Sequence, residues 1–282
     1  MRFLGVLMLT TLLLISCGGD EGLTFDEQLA VDIAAIDRFL ENNDIDTEVH
    51  SSGIRFTTLE AGDGEVPDIG SLLVIEYDFS ALGSDDTLAA SIYGESVVLS
   101  NNLIAAFSLM LAEMNEGGSR TVYAPSGYCF GDEDVGTLPA NSNLKINLKL
   151  ASDVKEGGQF AADTIIIESY LTKNGINALV DSSGIRYTVN KTGSGPSPEL
   201  GNIVDVAFEG RFLRGGVFDQ SANSTFSLSG LIQAWQIMIP QMEVGEKITI
   251  YAPSALCYGT QGNQGIPPNT VLSFDIELLG IR

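Results

Sequence analysis

The chain contains an internal repeat, and this repeat limits its architecture more than any other feature. The segment SSGIR at residues 51–55 recurs at residues 182–186. Further along, the segment YAPS at residues 123–126 recurs at residues 251–254 with a slightly smaller offset, so the second unit is shorter in its middle. A repeat of this length within 282 residues indicates two tandem domains, because solenoid repeats are much shorter.

Each unit is predicted to begin with an amphipathic helix and to continue mainly as strands. Thr24 and Glu27 have the spacing of a capping box, and apolar residues follow at helical spacing until residues 42–44 (NND). The counterpart in the second unit covers about residues 159–173. Alternating apolar residues predict strands beyond each helix, interrupted by one short helical patch near residues 231–241. This order predicts an α+β fold.

A series of short motifs runs through the second unit. In order, they are GIRY (184–187), GSGP (193–196), VAFEG (206–210), VFD (217–219), FSL (226–228), LIQAW (231–235), MEVGEK (242–247), YG (258–259), GIPPNT (265–270) and FDIELL (274–279). Together they resemble an FKBP-type peptidyl-prolyl cis-trans isomerase domain over its whole length. The resemblance implies that each unit is a twisted antiparallel sheet wrapped around one short helix.

The resemblance also implies a reaction, which is rotation about the peptide bond that precedes a proline. The rotation has a barrier of about 18–20 kcal/mol, and its transition state is a twisted amide that lacks the charge separation of the planar amide. An apolar pocket with a few placed hydrogen bonds therefore favours the transition state over the more polar ground state. Such a catalyst needs no nucleophile, metal or cofactor, and none is expected here.

The pocket that the resemblance implies lies in the second unit. Its implied catalytic residues are Trp235 as the floor beneath the proline ring, Asp219 as a carboxylate near the twisting carbonyl, and Tyr258 as a hydroxyl donor. The backbone N–H of Ile232 would donate to a substrate carbonyl. Without the resemblance, these aromatic residues would be interpreted as ordinary core. The implied substrate-binding residues are Phe208, Phe218, Phe226, Leu231, Ile232, Ile266 and Phe274.

Three departures from the family pattern concern this pocket. Phe208 stands where the family usually has tyrosine, and residues 220–225 form a short segment without the basic residue often found there. Ile266 alone remains of an apolar pair before Pro-Pro, and Asn263 stands where the family often has histidine. These departures are compatible with activity at a reduced rate or with a changed substrate preference.

The first unit keeps the strand pattern but has lost the implied site. We therefore expect a fold that is retained without its chemistry. Three roles stay open for it: binding polypeptides, mediating dimerisation, or holding the second unit away from a membrane. At equivalent positions it has Leu88 for Phe218, Ala89 for Asp219, Phe107 for Trp235, Phe130 for Tyr258 and Ile146 for Phe274.

The N-terminus is predicted to be a targeting segment. An apolar run at residues 3–15 is too short to span a bilayer, and it leads into Cys17 through a sequence that resembles a bacterial lipobox. Residues 1–16 would then be a signal peptide, and the lipidated Cys17 would anchor the protein in the bacterial cell envelope, at the outer membrane. The alternative is an ordinary secretory peptide with a chance cysteine. The net charge of −23 argues against nucleic acid and against electrostatic binding to anionic lipid.

Two further cysteines and a single histidine limit other chemistry. Cys129 and Cys257 occupy equivalent positions in the two units, so we expect free, buried thiols rather than a disulfide. His50 is the one histidine, which excludes multi-histidine metal sites and argues against a hydrolase triad.

These observations predict both a domain layout and a function. The function is prolyl isomerisation by the second unit, which assists the folding of exported, proline-containing polypeptides. The alternative is a non-catalytic peptide-binding or assembly lipoprotein of the envelope. The predicted segments are a signal peptide (1–16), a lipidated N-terminus and helix (17–50), a degenerate domain (51–152), a linker and helix (153–181) and an isomerase domain (182–282).

Overall fold

The structure is a computed structural model that describes residues 22–100 and 103–282. The first unit consists of α1 (Phe25–Asn42), β1 (Glu48–Val49), β2 (Arg55–Glu60), β3 (Leu72–Ala81), β4 (Thr87–Val98), α2 (Ala105–Leu111), β5 (Ser119–Ala124) and β6 (Leu144–Asp153). The second consists of α3 (Gly158–Lys173), β7 (Leu179–Val180), β8 (Arg186–Lys191), β9 (Ile203–Phe212), β10 (Val217–Ser227), α4 (Gln233–Met238), β11 (Lys247–Ala252) and β12 (Leu272–Ile281).

The strands form two antiparallel sheets with the same topology. The first is ordered β1-β2-β5-β6-β3-β4, and the second β7-β8-β11-β12-β9-β10. In β6, buried side chains alternate with half-buried ones over most of the strand, as expected when one face of a sheet covers a core. The predicted α+β class and the tandem arrangement are confirmed. The five segment boundaries stay predictions.

Helix α1 begins and ends where the sequence predicts. The Thr24 hydroxyl accepts a hydrogen bond from Glu27 N–H (3.4 Å), and the Glu27 carboxylate accepts one from Thr24 N–H (2.9 Å), which completes the capping box. The helix ends at Asn42. Its buried Ile36 and Leu40 pack against Tyr123 of β5, so α1 belongs to the first unit.

Helix α4 is shorter than the predicted helical patch. The α-helix stops at Met238, and a 3₁₀ turn (Ile239–Gln241) continues the chain. Pro240 explains the change, because proline has no backbone N–H to donate to the preceding turn. The buried face of α4 contains Ala234, Trp235 and Met238.

Helix α3 packs against both sheets. Its inward-facing residues Ala162, Ile166, Ile167 and Leu171 share one buried cluster with Val74 of β3 and with Leu213, Tyr251 and Val271 of the second unit. Tyr170 of α3 lies between Tyr93 of β4 (ring centroids 4.7 Å apart) and Tyr251 of β11 (5.6 Å). The helix therefore connects the two units through side-chain packing as well as through the chain.

Cys129 and Cys257 are both free, as predicted. Burial raises the pKa of each thiol to about 12. The predicted signal peptide and Cys17 lie outside the described residues. Within residues 22–100 and 103–282, no helix combines the length and the apolar character needed to cross a membrane.

Candidate functional site

The site is built on the paired strands β9 and β10, where a glycine makes room for an aromatic ring. Asp219 pairs with Gly210 across the ladder, and the register shifts at the preceding Phe218. A Cβ atom at Gly210 would lie 2.5 Å from Cζ of Phe218, closer than real Cβ contacts allow. Gly210 therefore lets the Phe218 ring lie over the β9 backbone, beside the exposed Asp219.

Trp235 lies at the centre of an aromatic cluster. Its indole makes edge-to-face contacts with Phe208 (ring centroids 5.1 Å apart), Phe274 (5.7 Å) and Phe226 (6.2 Å). Phe218 reaches the cluster through Phe274, again edge to face at 5.7 Å. Edge-to-face packing of this kind stabilises aromatic pairs beyond their buried area. Trp235 and Phe274 are only 4% and 3% exposed, whereas Phe208, Phe218 and Phe226 are half-buried, so the cluster has a buried centre and a partly exposed aromatic edge.

The predicted apolar residues come together in one place. Phe208, Phe218, Phe226, Leu231, Ile232, Trp235, Tyr258, Ile266 and Phe274 all belong to the second unit's core cluster or pack directly against it. Asp219 is exposed next to this group, and no described residue donates a hydrogen bond to its carboxylate. Its expected role in orienting neighbouring donors therefore stays a prediction.

One backbone donor at this cluster has no partner among the residues that the structure describes. Ile232 is the N-cap of α4, with φ −61° and ψ 151°, and its carbonyl accepts from Trp235 N–H and Gln236 N–H. Its own N–H donates to no acceptor among the described residues. Because a partly buried N–H without a partner is costly, this donor is available to a ligand carbonyl.

The Tyr258 hydroxyl packs beside the core cluster and is affected by the charge of Asp219. Burial raises the pKa of the Tyr258 hydroxyl above its ordinary value of 10.0, and a hydrogen bond with Asn263 opposes this effect. The Cys257 thiol and the negative charge of Asp219 raise the pKa further. The hydroxyl therefore stays protonated at neutral pH and can donate a hydrogen bond.

The loop that carries Ile266 is closed by its own backbone. Asn263 N–H donates to Ile266 O (2.9 Å), and Ile266 N–H donates to Asn263 O (2.8 Å). Gly265 has φ +80°, a left-handed conformation that glycine adopts without strain. This reciprocal pair holds Ile266, which is 6% exposed, against the aromatic cluster.

The FKBP-type peptidyl-prolyl cis-trans isomerase family matches residues 66–151 and 195–279, which together make up more than half of the chain. The chain belongs to this family. The prediction made from the motifs is thereby confirmed, and the double match agrees with the tandem arrangement of the sheets.

Individual relatives match only part of the chain. It is 40% identical over 121 residues to the FKBP-type peptidyl-prolyl cis-trans isomerase FkpA of Aeromonas hydrophila, which covers 41% of this chain and 45% of that protein. It is 37% identical over 123 residues to the peptidyl-prolyl cis-trans isomerase Mip of Coxiella burnetii, covering 40% and 53%. The matched region thus spans about half the length of these curated relatives. The crystal structure of FkpA from Escherichia coli overlaps 44% of this chain and 61% of that chain, at 32% identity and a TM-score of 0.40.

The first FKBP unit fills the equivalent space differently. Phe79 pairs with Ile146 in the ladder, at the position where Gly210 pairs with Phe274 in the second unit. The Phe79 ring stacks on Tyr77 at 6.3 Å and lies 5.9 Å from the ring of Phe130. A phenylalanine on the inner strand therefore replaces the ring that Phe218 supplies from the edge strand.

The centre of the first unit is also more polar than that of the second. Tyr77, which is equivalent to Phe208, donates a hydrogen bond to Glu95 Oε2 at 2.8 Å and packs edge to face on Phe107 at 5.2 Å. Burial raises the pKa of Tyr77, and the nearby Glu95 raises it further. The space that could receive a twisted amide thus contains a phenol–carboxylate pair.

Two residues of the second unit's site were missed from the sequence. Gly210 matters because it leaves room for the Phe218 ring. Alignment of the two repeats could have identified it, because Gly210 and Phe218 in the second unit correspond to Phe79 and Leu88 in the first. Phe212 packs on Phe218 with ring centroids 5.4 Å apart. It lies two residues after Gly210, at the end of β9, and no spacing rule distinguishes it from an ordinary strand residue.

Proposed function

We propose that the second FKBP unit catalyses cis–trans isomerisation of X–Pro bonds in polypeptides. The observation that carries this proposal is the aromatic cluster around the buried Trp235. Ile232 N–H, which has no partner among the described residues, and the exposed Asp219 lie next to this cluster. No covalent step is needed, because the reaction is a bond rotation.

The chemistry follows from the polarity of the two states. A proline ring that lies against Trp235 would be surrounded by Phe208, Phe226 and Phe274. A planar amide is more polar than the twisted amide, so an apolar surrounding favours the twisted form. Hydrogen bonds from Ile232 N–H and from Tyr258 would hold the flanking carbonyl groups in place while the bond turns.

The second candidate is a binding module without useful turnover. It is favoured by one observation, which is that no described residue donates a hydrogen bond to the exposed Asp219 carboxylate. The two candidates are separated by an isomerisation assay on a short X–Pro peptide with the full chain. Catalysed conversion supports the isomerase, whereas peptide binding without conversion supports the module.

The setting we propose is the bacterial cell envelope, where the protein assists the folding of exported chains. Slow prolyl isomerisation limits many folding reactions, so a catalyst at this place would act on newly exported clients. The support is the apolar run at residues 3–15 followed by Cys17. An outer-membrane position and lipid attachment are part of this proposal.

We predict that Cys17→Ser releases the protein from the membrane fraction, because Cys17 would carry the anchor. Fractionation without detergent, combined with mass spectrometry of the mature N-terminus, measures both parts of the prediction. A matched substitution, Ser16→Ala, should leave the anchor in place. An unmodified Cys17 in the mature wild-type protein would contradict the proposal.

A further inference from the structure

In each unit, a buried aspartate of the leading helix accepts hydrogen bonds from the first residue of the 3₁₀ turn that follows β5 or β11. In the second unit, Asp163 Oδ2 accepts hydrogen bonds from the Ser254 backbone N–H (2.7 Å) and from Ser254 Oγ (2.6 Å). In the first unit, Asp32 Oδ2 accepts the same pair from Ser126, at 2.8 and 2.6 Å. Both carboxylates are almost inaccessible to solvent, at 0% and 2% exposure. Because the arrangement occurs in both units, it is a feature of the fold.

In the second unit the hydrogen bonds continue into the first. Gln159 Nε2 donates to Asp163 Oδ1 at 2.7 Å and also to Ser96 Oγ at 2.8 Å, on β4 of the first unit. The equivalent Gln28 donates to Asp32 Oδ1 at 2.7 Å, and it has no second acceptor among the described residues. A chain of hydrogen bonds therefore runs from the first unit through Gln159 and Asp163 to Ser254.

Helix α3, which carries Gln159 and Asp163, is held on the first unit along its length. Tyr170 packs on Tyr93 with ring centroids 4.7 Å apart, and Lys173 Nζ lies 2.7 Å from Glu76. A Cβ at Gly94 of β4 would lie 3.3 Å from Cγ1 of Ile166, so the helix passes close to that strand. The helix therefore has little freedom to move relative to the first unit.

At its other end the chain of hydrogen bonds reaches the loop that carries Tyr258. Ser254 starts a 3₁₀ turn (Ser254–Leu256), which Cys257 N–H closes by donating to Ser254 O at 2.9 Å. Tyr258 follows directly, and its carbonyl accepts from Gly262 N–H at 3.1 Å. Because these backbone hydrogen bonds follow one another along the chain, the position of Tyr258 depends on the position of Ser254.

We propose that the first unit, although it lacks the site, positions Tyr258 of the second unit through Ser96, Gln159, Asp163 and Ser254. Asp163 and Gln159 are positioning residues, since neither touches the proline pocket. The catalytic consequence rests on the proposed isomerase function, whereas the placement of the loop can be measured without turnover.

The test compares the two units by making the same change in each. In the full chain carrying Cys17→Ser, Asp163→Asn is paired with Asp32→Asn, and Gln159→Leu with Gln28→Leu. We expect Asp163→Asn to lower kcat about tenfold with KM changed by less than about twofold, because misplacing a group by a fraction of an ångström weakens it chiefly in the transition state. Gln159→Leu should lower kcat about threefold, and the first-unit partners should leave it within about twofold.

A third variant, Ser96→Ala, cuts the chain of hydrogen bonds from the first unit and leaves the contacts of Asp163 intact. It should raise amide hydrogen exchange across residues 254–258 and lower kcat about threefold. The proposal is overturned if exchange there is unchanged in both Ser96→Ala and Gln159→Leu, or if Asp32→Asn lowers kcat as much as Asp163→Asn.

The exchange measurement also separates this proposal from the proposed function. If the unmodified chain shows no isomerase activity, raised exchange at residues 254–258 in Ser96→Ala still supports the positioning. Unchanged exchange in both Ser96→Ala and Gln159→Leu overturns it. If Asp163→Asn does not fold, Gln159→Leu and Ser96→Ala decide the question by themselves.

Discussion

The two units share one framework and differ in how they fill its centre. Both have the same strand order, and both have the buried aspartate–serine contact beneath the leading helix. In the second unit a glycine on β9 admits a phenylalanine from β10, whereas in the first unit Phe79 fills that space from the inner strand. In both units one aromatic ring occupies this space, and this packing sustains the fold. Whether the edge of a pocket remains depends on which strand supplies the ring.

Polarity separates the units further. The first unit has the Tyr77–Glu95 hydrogen bond at its centre, and the second has Phe208 against Trp235. A twisted amide, which is less polar than a planar one, is favoured by the second environment.

The largest effect is expected from removing the central ring in each unit. Trp235→Ala and Phe107→Ala should each cost about 3–5 kcal/mol in the free energy of unfolding, because both side chains are buried and leave a cavity. Only Trp235→Ala should also abolish isomerase activity. Urea denaturation and a peptide isomerisation assay measure the two effects. Loss of activity in Phe107→Ala at a urea concentration where the second unit is still folded would contradict the proposed difference between the units.

Asp219→Ala should lower kcat/KM about tenfold, which corresponds to about 1.4 kcal/mol of transition-state stabilisation. Its free energy of unfolding should change by less than about 0.5 kcal/mol, because the side chain is exposed. The neighbouring exposed Gln220 provides the control, since Gln220→Ala should change neither quantity. An Asp219→Ala variant with full activity would reduce that residue to a strand position without a role in turnover.

An effect of comparable size is expected at the glycine that distinguishes the units. Gly210→Ala would place a Cβ against the Phe218 ring, which is held between Phe212 and Phe274, so we expect a cost of about 1–3 kcal/mol in stability and weaker peptide binding. Gly201→Ala is the matched control, because nothing lies within 4 Å of its Cβ position. Equal stability of the two variants would show that Phe218 does not need this space.

The smallest difference should be between the two thiols. Burial raises the pKa of both Cys129 and Cys257 to about 12 from an ordinary value of 9.0, so the folded thiols stay neutral where unfolded thiols ionise. Their contribution to stability is therefore complete below pH 9 and is lost as the pH rises above that value. In the Cys17→Ser chain at pH 8, a thiolate-selective reagent should label neither cysteine until urea unfolds the protein. Rapid labelling of one of them in the folded state would show that its unit opens locally.

The sequence could predict those parts of the molecule that local pattern and motif order determine. The capping box at Thr24 and Glu27 and the strand alternation are local signals, and the motifs identified the residues around Trp235 because the family fixes their order. The contact between Gln159 and Ser96 could not be predicted, because it depends on how α3 packs against β4. That no described residue donates a hydrogen bond to Asp219 is likewise a matter of tertiary geometry. The end of α4 at Met238 could have been predicted, because Pro240 in the sequence interrupts an α-helix.

The most direct test of the central claim is NMR of the full chain with a short X–Pro peptide. Exchange spectroscopy measures the catalysed cis–trans rate, and amide shifts in the protein locate the bound peptide. We predict catalysed exchange, with shift changes at the amides of Ile232 and Tyr258 and none around Phe107. Absence of catalysed exchange, or a bound peptide located around Phe107, would contradict the account.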